Sequence, residues 1–280
     1  MLYSDAKPQN QNEQSMNPEK ICLEAINIVR AAGKFIAEER KKFSSNEVVN
    51  KGQRDLVSYV DVNAEKILVE GLKQILPEAG FLTEEKTIAE SNTSLRWIID
   101  PLDGTTNFIH GVPPFSVSIA LQQEADIIIG IVYEINLDEC FYAWKNGGAF
   151  LNGKKISVTQ TSSLKDALTA TGFPYKEFPL MNRFFATLQF LFNNTHGVRR
   201  LGSAAVDLVY VACGRFDGFF EYNLNPWDVA GGALILQEAG GIVTDFNGGA
   251  NFLFGKEIVA SNPNIYHEYL NVVVNPPVNG

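Results

Sequence analysis

Apolar residues recur at helical spacing through Ile21, Ala25, Ile26, Val29, Ala32 and Ile36, behind an Asn17-Pro18-Glu19 opening that sets an N-cap, a first-turn proline and an early acid in order. This predicts a long amphipathic helix ending near Lys41-Lys42. A second helix is predicted from Asp61, carrying Ile67, Leu68, Leu72, Ile75 and Leu76 until Pro77 stops it, with Lys51-Gly52-Gln53-Arg54 as a mobile loop between the two. From Phe81-Leu82 onward the pattern becomes that of strands: Trp97-Ile98-Ile99, Phe115 to Leu121, Ile127 to Tyr133 and Glu139 to Trp144, the last leading to an Asn152-Gly153 turn. The second half alternates. Strands are predicted at Leu168 to Thr171, Phe216 to Glu221 and Glu257 to Ala260, and helices at Met181 to Phe192, Ser203 to Cys213, Trp227 to Ala239 and from Pro263. A meandering, largely antiparallel sheet followed by mixed elements indicates a layered α+β protein. No repeat or low-complexity linker interrupts it, so residues 17–280 read as one domain behind a polar tail at 1–16.

Composition narrows the function. The 280 residues hold 23 Lys+Arg against 32 Asp+Glu, a formal charge of −9, which disfavours nucleic acid as a partner. Three cysteines without a CxxC pair give neither a disulfide framework nor a thiolate metal site. The apolar runs are too short to span a bilayer, and the N-terminus lacks the basic and apolar regions of a signal peptide, so a cytoplasmic protein without a membrane partner is expected.

The segment richest in chemistry is Trp97-Ile98-Ile99-Asp100-Pro101-Leu102-Asp103-Gly104-Thr105-Thr106-Asn107-Phe108. An apolar strand delivers Asp100 at its carboxyl end, Pro101 is expected to turn the chain out of the sheet, and Asp103-Gly104-Thr105 opens a helix whose N–H groups suit an anion. Carboxylates together with the Leu102 carbonyl form a donor set for a hard cation such as Mg²⁺. The same aspartates equally suit a turn and an N-cap, Glu84 of the Glu84-Glu85 pair a solvated loop, and Asp228 a helix-dipole acid. Their convergence would favour a cation, since clustered carboxylates repel one another.

Two motifs, Asp100-Pro-Leu-Asp103-Gly-Thr105-Thr-Asn-Phe108 and Trp227-Asp228-Val-Ala-Gly-Gly with Glu238-Ala-Gly-Gly241, resemble the signatures of the inositol monophosphatase family, within the lithium-sensitive, magnesium-dependent phosphatases. The resemblance runs from about Pro18 to Tyr269 and takes in Asp55 to Asp61 and Arg200-Leu-Gly-Ser203-Ala-Ala205. It implies a five-layered αβαβα sandwich, usually a homodimer, with two to three Mg²⁺ per site. By resemblance Glu84, Asp100 and the Leu102 carbonyl hold the first ion and Asp100, Asp103 and Asp228 the second, while a third shares Glu84. Thr105 with Glu84 would activate water, the N–H groups of Gly104 and Thr105 would hold phosphate, and Ser203, Ala204 and Glu221 would meet the alcohol. Asp103 and Asp228 border the substrate as well. The family usually carries glycine where this chain has Thr83, and the branched residue is expected to tilt Glu84.

The implied reaction is Mg²⁺-dependent hydrolysis of inositol 1-phosphate or a similar small polyol phosphate. Fructose 1,6-bisphosphate, histidinol phosphate and nucleotide 3′-phosphates are the alternative substrates, and a non-catalytic, partner-binding protein on the same fold is the alternative class. The two residues between Asp100 and Asp103 argue against a phospho-aspartate phosphatase, and Ser203 lies outside a GxSxG elbow.

Overall fold

The computed structural model describes residues 16–42, 53–91, 93–173 and 179–276, with residues 53–58 described by backbone alone. The predicted tail, apart from Met16, and Lys51-Gly52 of the predicted loop lie outside these residues. Helix α1 (Pro18–Lys42) follows the predicted span. Helix α2 (Gln53–Ile75) starts eight residues before Asp61, because no proline or glycine interrupts the chain from Gln53 to Glu70. Gln53 and Arg54 are therefore helical, and Asp61 sits within the helix, 6% exposed.

Seven strands follow one another in space as in sequence: β1 (Gly80–Thr83), β2 (Leu95–Asp103), β3 (Ser116–Gln123), β4 (Asp126–Glu134), β5 (Glu139–Trp144), β6 (Gly148–Leu151) and β7 (Lys154–Ile156). All pairings are antiparallel except β1 with β2. Between β2 and β3 lies the short helix α3 (Thr105–His110). A second, five-stranded sheet has the order β11-β12-β10-β8-β9, from β8 (Leu168–Thr171), β9 (Gly197–Arg199), β10 (Gly218–Tyr222), β11 (Ile242–Thr244) and β12 (Glu257–Ser261). Strands β9 and β11, three residues each, have too little periodicity to be read from sequence.

Helices α4 (Met181–Asn194), α5 (Ala204–Ala212), α6 (Pro226–Glu238) and α7 (Tyr266–Val274), with a single 3-10 turn at Leu164–Asp166, complete the described elements. The layers run α1/α2, seven-stranded sheet, α5/α6, five-stranded sheet, α4/α7, as the αβαβα expectation requires. Three apolar cores fill the interfaces. Trp97, Ile99 and Phe81 pack toward α1 and α2; Leu82, Ile98, Val132 and Phe219 pack around α5 and α6; Phe184, Phe220 and Tyr269 pack under α4 and α7. Each such side chain, fully buried, contributes roughly 1.5–3 kcal/mol. Neighbouring residues of one strand thus serve different cores, and that alternation fixes which side chains reach the middle layer.

Candidate active site

Strand β2 continues through Pro101 to Asp103, where the sequence predicted that proline would end it. The strand absorbs the proline in a bulge: Asp100 pairs with Ser118 and Asp103 with Ser116, so three steps on β2 face two on β3. The bulge leaves a position without a ladder bond, which suits a residue with no N–H to donate. It also resets the side-chain alternation. In a regular strand, residues three apart point to opposite faces. Here Ile98 packs on the α5/α6 side and Leu102 on the α1/α2 side, while the partner residues Ser116 and Ser118 both reach the middle helices, through Ser203 Oγ at 3.3 Å and the Trp227 carbonyl at 3.4 Å. Asp100 and Asp103 consequently line one cavity of about 370 Å³.

Glu84 follows β1, in which Phe81 belongs to the α1/α2 core and Leu82 to the middle core. Thr83 therefore turns toward α2, and Glu84 enters the cavity. Thr83 does not carry Glu84 out of the site, because its branched side chain occupies the opposite face of the strand. Asp228 comes from the third position of α6, where Asn225 and Asp228 form a capping box and Asp228 Oδ2 accepts the Asn225 N–H at 2.7 Å. Glu221 reaches the cavity from β10 and lies directly against Gly172, where any Cβ would collide with its carboxylate.

The predicted residues Glu84, Asp100, Leu102, Asp103, Gly104, Thr105, Ala204, Glu221 and Asp228 all border this cavity. Ser203 is outside the lining: it is 1% exposed, caps α5, and donates to Asp103 Oδ2 at 2.6 Å, which also accepts the Ala205 N–H at 2.8 Å. Ser203 thus orients Asp103 from behind. Thr105 Oγ1 donates to the Leu102 carbonyl at 3.0 Å, and Asp100 Oδ1 accepts the Leu102 N–H at 3.0 Å. Gly104 holds φ at 89° with the Pro114 carbonyl 3.1 Å from where a Cβ would stand, a conformation and a clearance that only glycine meets easily. Sequence reasoning gave no site role to Gly172, Phe173, Arg200, Asn223 and Asn225, which also line the cavity. Arg200 opens the Arg200-Leu-Gly-Ser203 stretch of the family resemblance, and the linear signal of the others is adjacency, since they flank Glu221 and Asp228 or follow β8. The Arg200 guanidinium stands over the Phe173 ring at 5.7 Å.

Among the described lining residues five are acidic and only Arg200 is cationic. Burial, followed by Glu84, Asp103 and Asp228, raises the Asp100 carboxyl well above its ordinary range. Burial likewise lifts Glu84 to about 7, Asp103 to about 6, and Asp228 and Glu221 to about 8 each. Among the described residues no group of three or more His, Cys, Asp or Glu side chains already stands in metal-holding geometry. The bonds to Ser203, Ala205 and Asn225 hold Asp103 and Asp228 in other engagements. The donor set nevertheless fits Mg²⁺: hard oxygens, one backbone carbonyl and an uncompensated excess of acid in a partly closed cavity.

The model of the inositol monophosphatase family matches residues 17–276. The chain belongs to that family. It is 41% identical over 246 residues to an inositol-1-monophosphatase of Mesorhizobium japonicum, covering 88% of this chain and 92% of that one. It is also 41% identical over 242 residues to the Nus factor SuhB of Escherichia coli K12, covering 86% and 91%. Among solved structures, the extragenic suppressor protein suhB of Bartonella henselae superposes with a TM-score of 0.83 at 38% identity, over 92% of this chain and 100% of that one. Membership supports a phosphatase, and Asp100, Asp103 and Asp228 of the two motifs line the cavity. No helix among the described residues is long and apolar enough to cross a membrane.

Proposed function

We propose that the chain is a Mg²⁺-dependent phosphomonoesterase hydrolysing inositol 1-phosphate or a similar small polyol phosphate to the free alcohol and phosphate. The observation that carries this reading is the gathering of Glu84, Asp100, Asp103 and Asp228 from separate stretches of chain onto one cavity. Glu84, Asp100 and the Leu102 carbonyl would hold one ion, and Asp100, Asp103 and Asp228 another, with a third sharing Glu84. When bound, Mg²⁺ supplies Lewis-acid charge for the phosphate oxygens and makes water a better nucleophile at neutral pH.

The chain's own residues do the rest. The acids take up protons while the site holds no cation, so loading the site expels them. The Thr105 hydroxyl donates its hydrogen to the Leu102 carbonyl and so presents lone pairs to an attacking water, which it and Glu84 would orient and whose proton the Glu84 carboxylate would accept. The N–H groups of Gly104 and Thr105 would hold the phosphate, and Ala204 and Glu221, which line the same cavity, would meet the alcohol side. A homodimer, lithium inhibition and a cytoplasmic location accompany this reading.

Phosphate release from inositol 1-phosphate, with and without Mg²⁺, tests it. A preference of about 100-fold or more for fructose 1,6-bisphosphate, histidinol phosphate or a nucleotide 3′-phosphate, worth about 2.7 kcal/mol, would move the assignment to that substrate. The name of the Escherichia coli relative supports a partner-binding role as the competing reading. A folded chain without turnover on any of these esters would select it.

A further inference from the structure

Glu65 on α2 is fully buried, outside the cavity, and has no part in the reaction described above. Its carboxylate accepts four hydrogen bonds, all from residues 83–87 on either side of Glu84. Oε1 receives the Thr83 hydroxyl at 2.9 Å, the Thr87 N–H at 2.8 Å and the Thr87 hydroxyl at 2.6 Å; Oε2 receives the Glu85 N–H at 2.8 Å. Both neighbours of Glu84 are therefore fastened to one side chain. The Glu84 N–H is itself bonded to the Ile99 carbonyl at 3.2 Å, so β2 holds the same point from the other side.

We propose that Glu65 and Thr83 are positioning residues for the site's cation, fixing the turn that aims Glu84 into the cavity before the ion arrives. The inference rests on the metal-binding reading of Glu84. A ligand carried on an ordered turn has less freedom to lose on binding, and partners behind metal ligands typically set affinity by about 10–100-fold. Strand alternation makes the device possible: Thr83 on one face reaches the helix while Glu84 on the other enters the cavity. At this position the threonine hydroxyl supplies one of the four donors, which a glycine would not. The chemistry also demands an acid at residue 65. A carboxylate is acceptor-only, whereas an amide whose oxygen met the three donors on one side would turn its NH₂ against the Glu85 N–H on the other.

The test measures Mn²⁺ binding by electron paramagnetic resonance of the free ion, alongside metal-free melting curves and the Mg²⁺ dependence of phosphate release. Thr83→Val keeps the shape and deletes the hydroxyl; Thr83→Ser restores the hydroxyl. The valine variant is expected to bind Mn²⁺ about tenfold more weakly. It should also need correspondingly more Mg²⁺ for half-maximal rate with little change in the saturated rate, while the serine variant stays within about threefold of the parent. Glu65→Gln should lose at least as much affinity as Thr83→Val, and if it fails to fold the threonine pair carries the test. A folded valine variant with parental Mn²⁺ affinity, or equal losses in the valine and serine variants, would overturn the proposal while leaving the phosphatase reading intact. A parent chain that neither binds Mn²⁺ nor releases phosphate would overturn both.

Discussion

Raising the pH of the metal-free chain should destabilise it. Glu84, Asp103, Asp228 and Glu221 titrate in the folded state at about 7, 6, 8 and 8, and Asp61, buried on α2 beside Glu85, Glu84 and Glu65, at about 8. Unfolded carboxyls titrate near 4. Each of these groups has its folded value raised, so its stabilising contribution is complete below about pH 4 and is lost as pH climbs through roughly 6 to 8. One proton held by the native chain and already lost by the unfolded chain gives a slope of about 1.4 kcal/mol per pH unit. Counting only one such proton between pH 5.5 and 7.5, the loss is about 2.7 kcal/mol, or ~5–10 °C in melting temperature for a chain of this size. Thermal melts in chelator across that range measure it. The net charge of −9 adds self-repulsion of the same sign, so the assignment needs Asp228→Asn, which should flatten the slope by up to one proton's worth. Saturating Mg²⁺ should stabilise increasingly with pH, because it competes with protons for the same oxygens. A metal-free melting temperature that is flat or rises with pH, or an unchanged slope in Asp228→Asn, would refute the reasoning.

Asp100→Asn should fold, judged by circular dichroism and melting in chelator, and yet lose about a hundredfold or more in Mg²⁺-dependent turnover, since it removes a buried charge at little change in volume. Gly104→Ala, at φ 89°, should cost about 1–2 kcal/mol in urea denaturation and weaken product-phosphate inhibition with it. Gly172→Ala must displace the Glu221 carboxylate; a substrate titration should show a raised KM, with Mn²⁺ affinity near that of the parent.

What could be read from the sequence was whatever local chemistry encodes. Strand β5 and strand β8 fall on their predicted bounds because apolar runs met clear turns, and α1 does so because Asn17-Pro18 marks its start. The sequence places the start of α2 too late since Asp61 resembles an N-cap wherever it stands, although the stretch without glycine or proline from Gln53 to Glu70 already permits the longer helix. Proline at 101 was read by its usual effect on a ladder, and the bulge that accommodates it depends on the pairing strand, which lies thirteen residues or more along the chain. In the same way the acids were legible as candidates, but Ser203 behind Asp103, Arg200 over Phe173 and Glu65 behind Thr83 are relations between distant segments. Those relations belong to tertiary contacts, which periodicity does not carry.

The bulge in β2 sets which way the chain faces when it leaves the sheet. A regular strand of the same length would put Asp103 on the side opposite Asp100, and Gly104 and Thr105 would be delivered to the wrong compartment with it. The extra residue that the bulge takes up also brings the Leu102 carbonyl within 3.0 Å of the Thr105 hydroxyl. A substitution at Ser116 or Ser118 that ironed the bulge flat would therefore dismantle the cluster of acids without touching one of them.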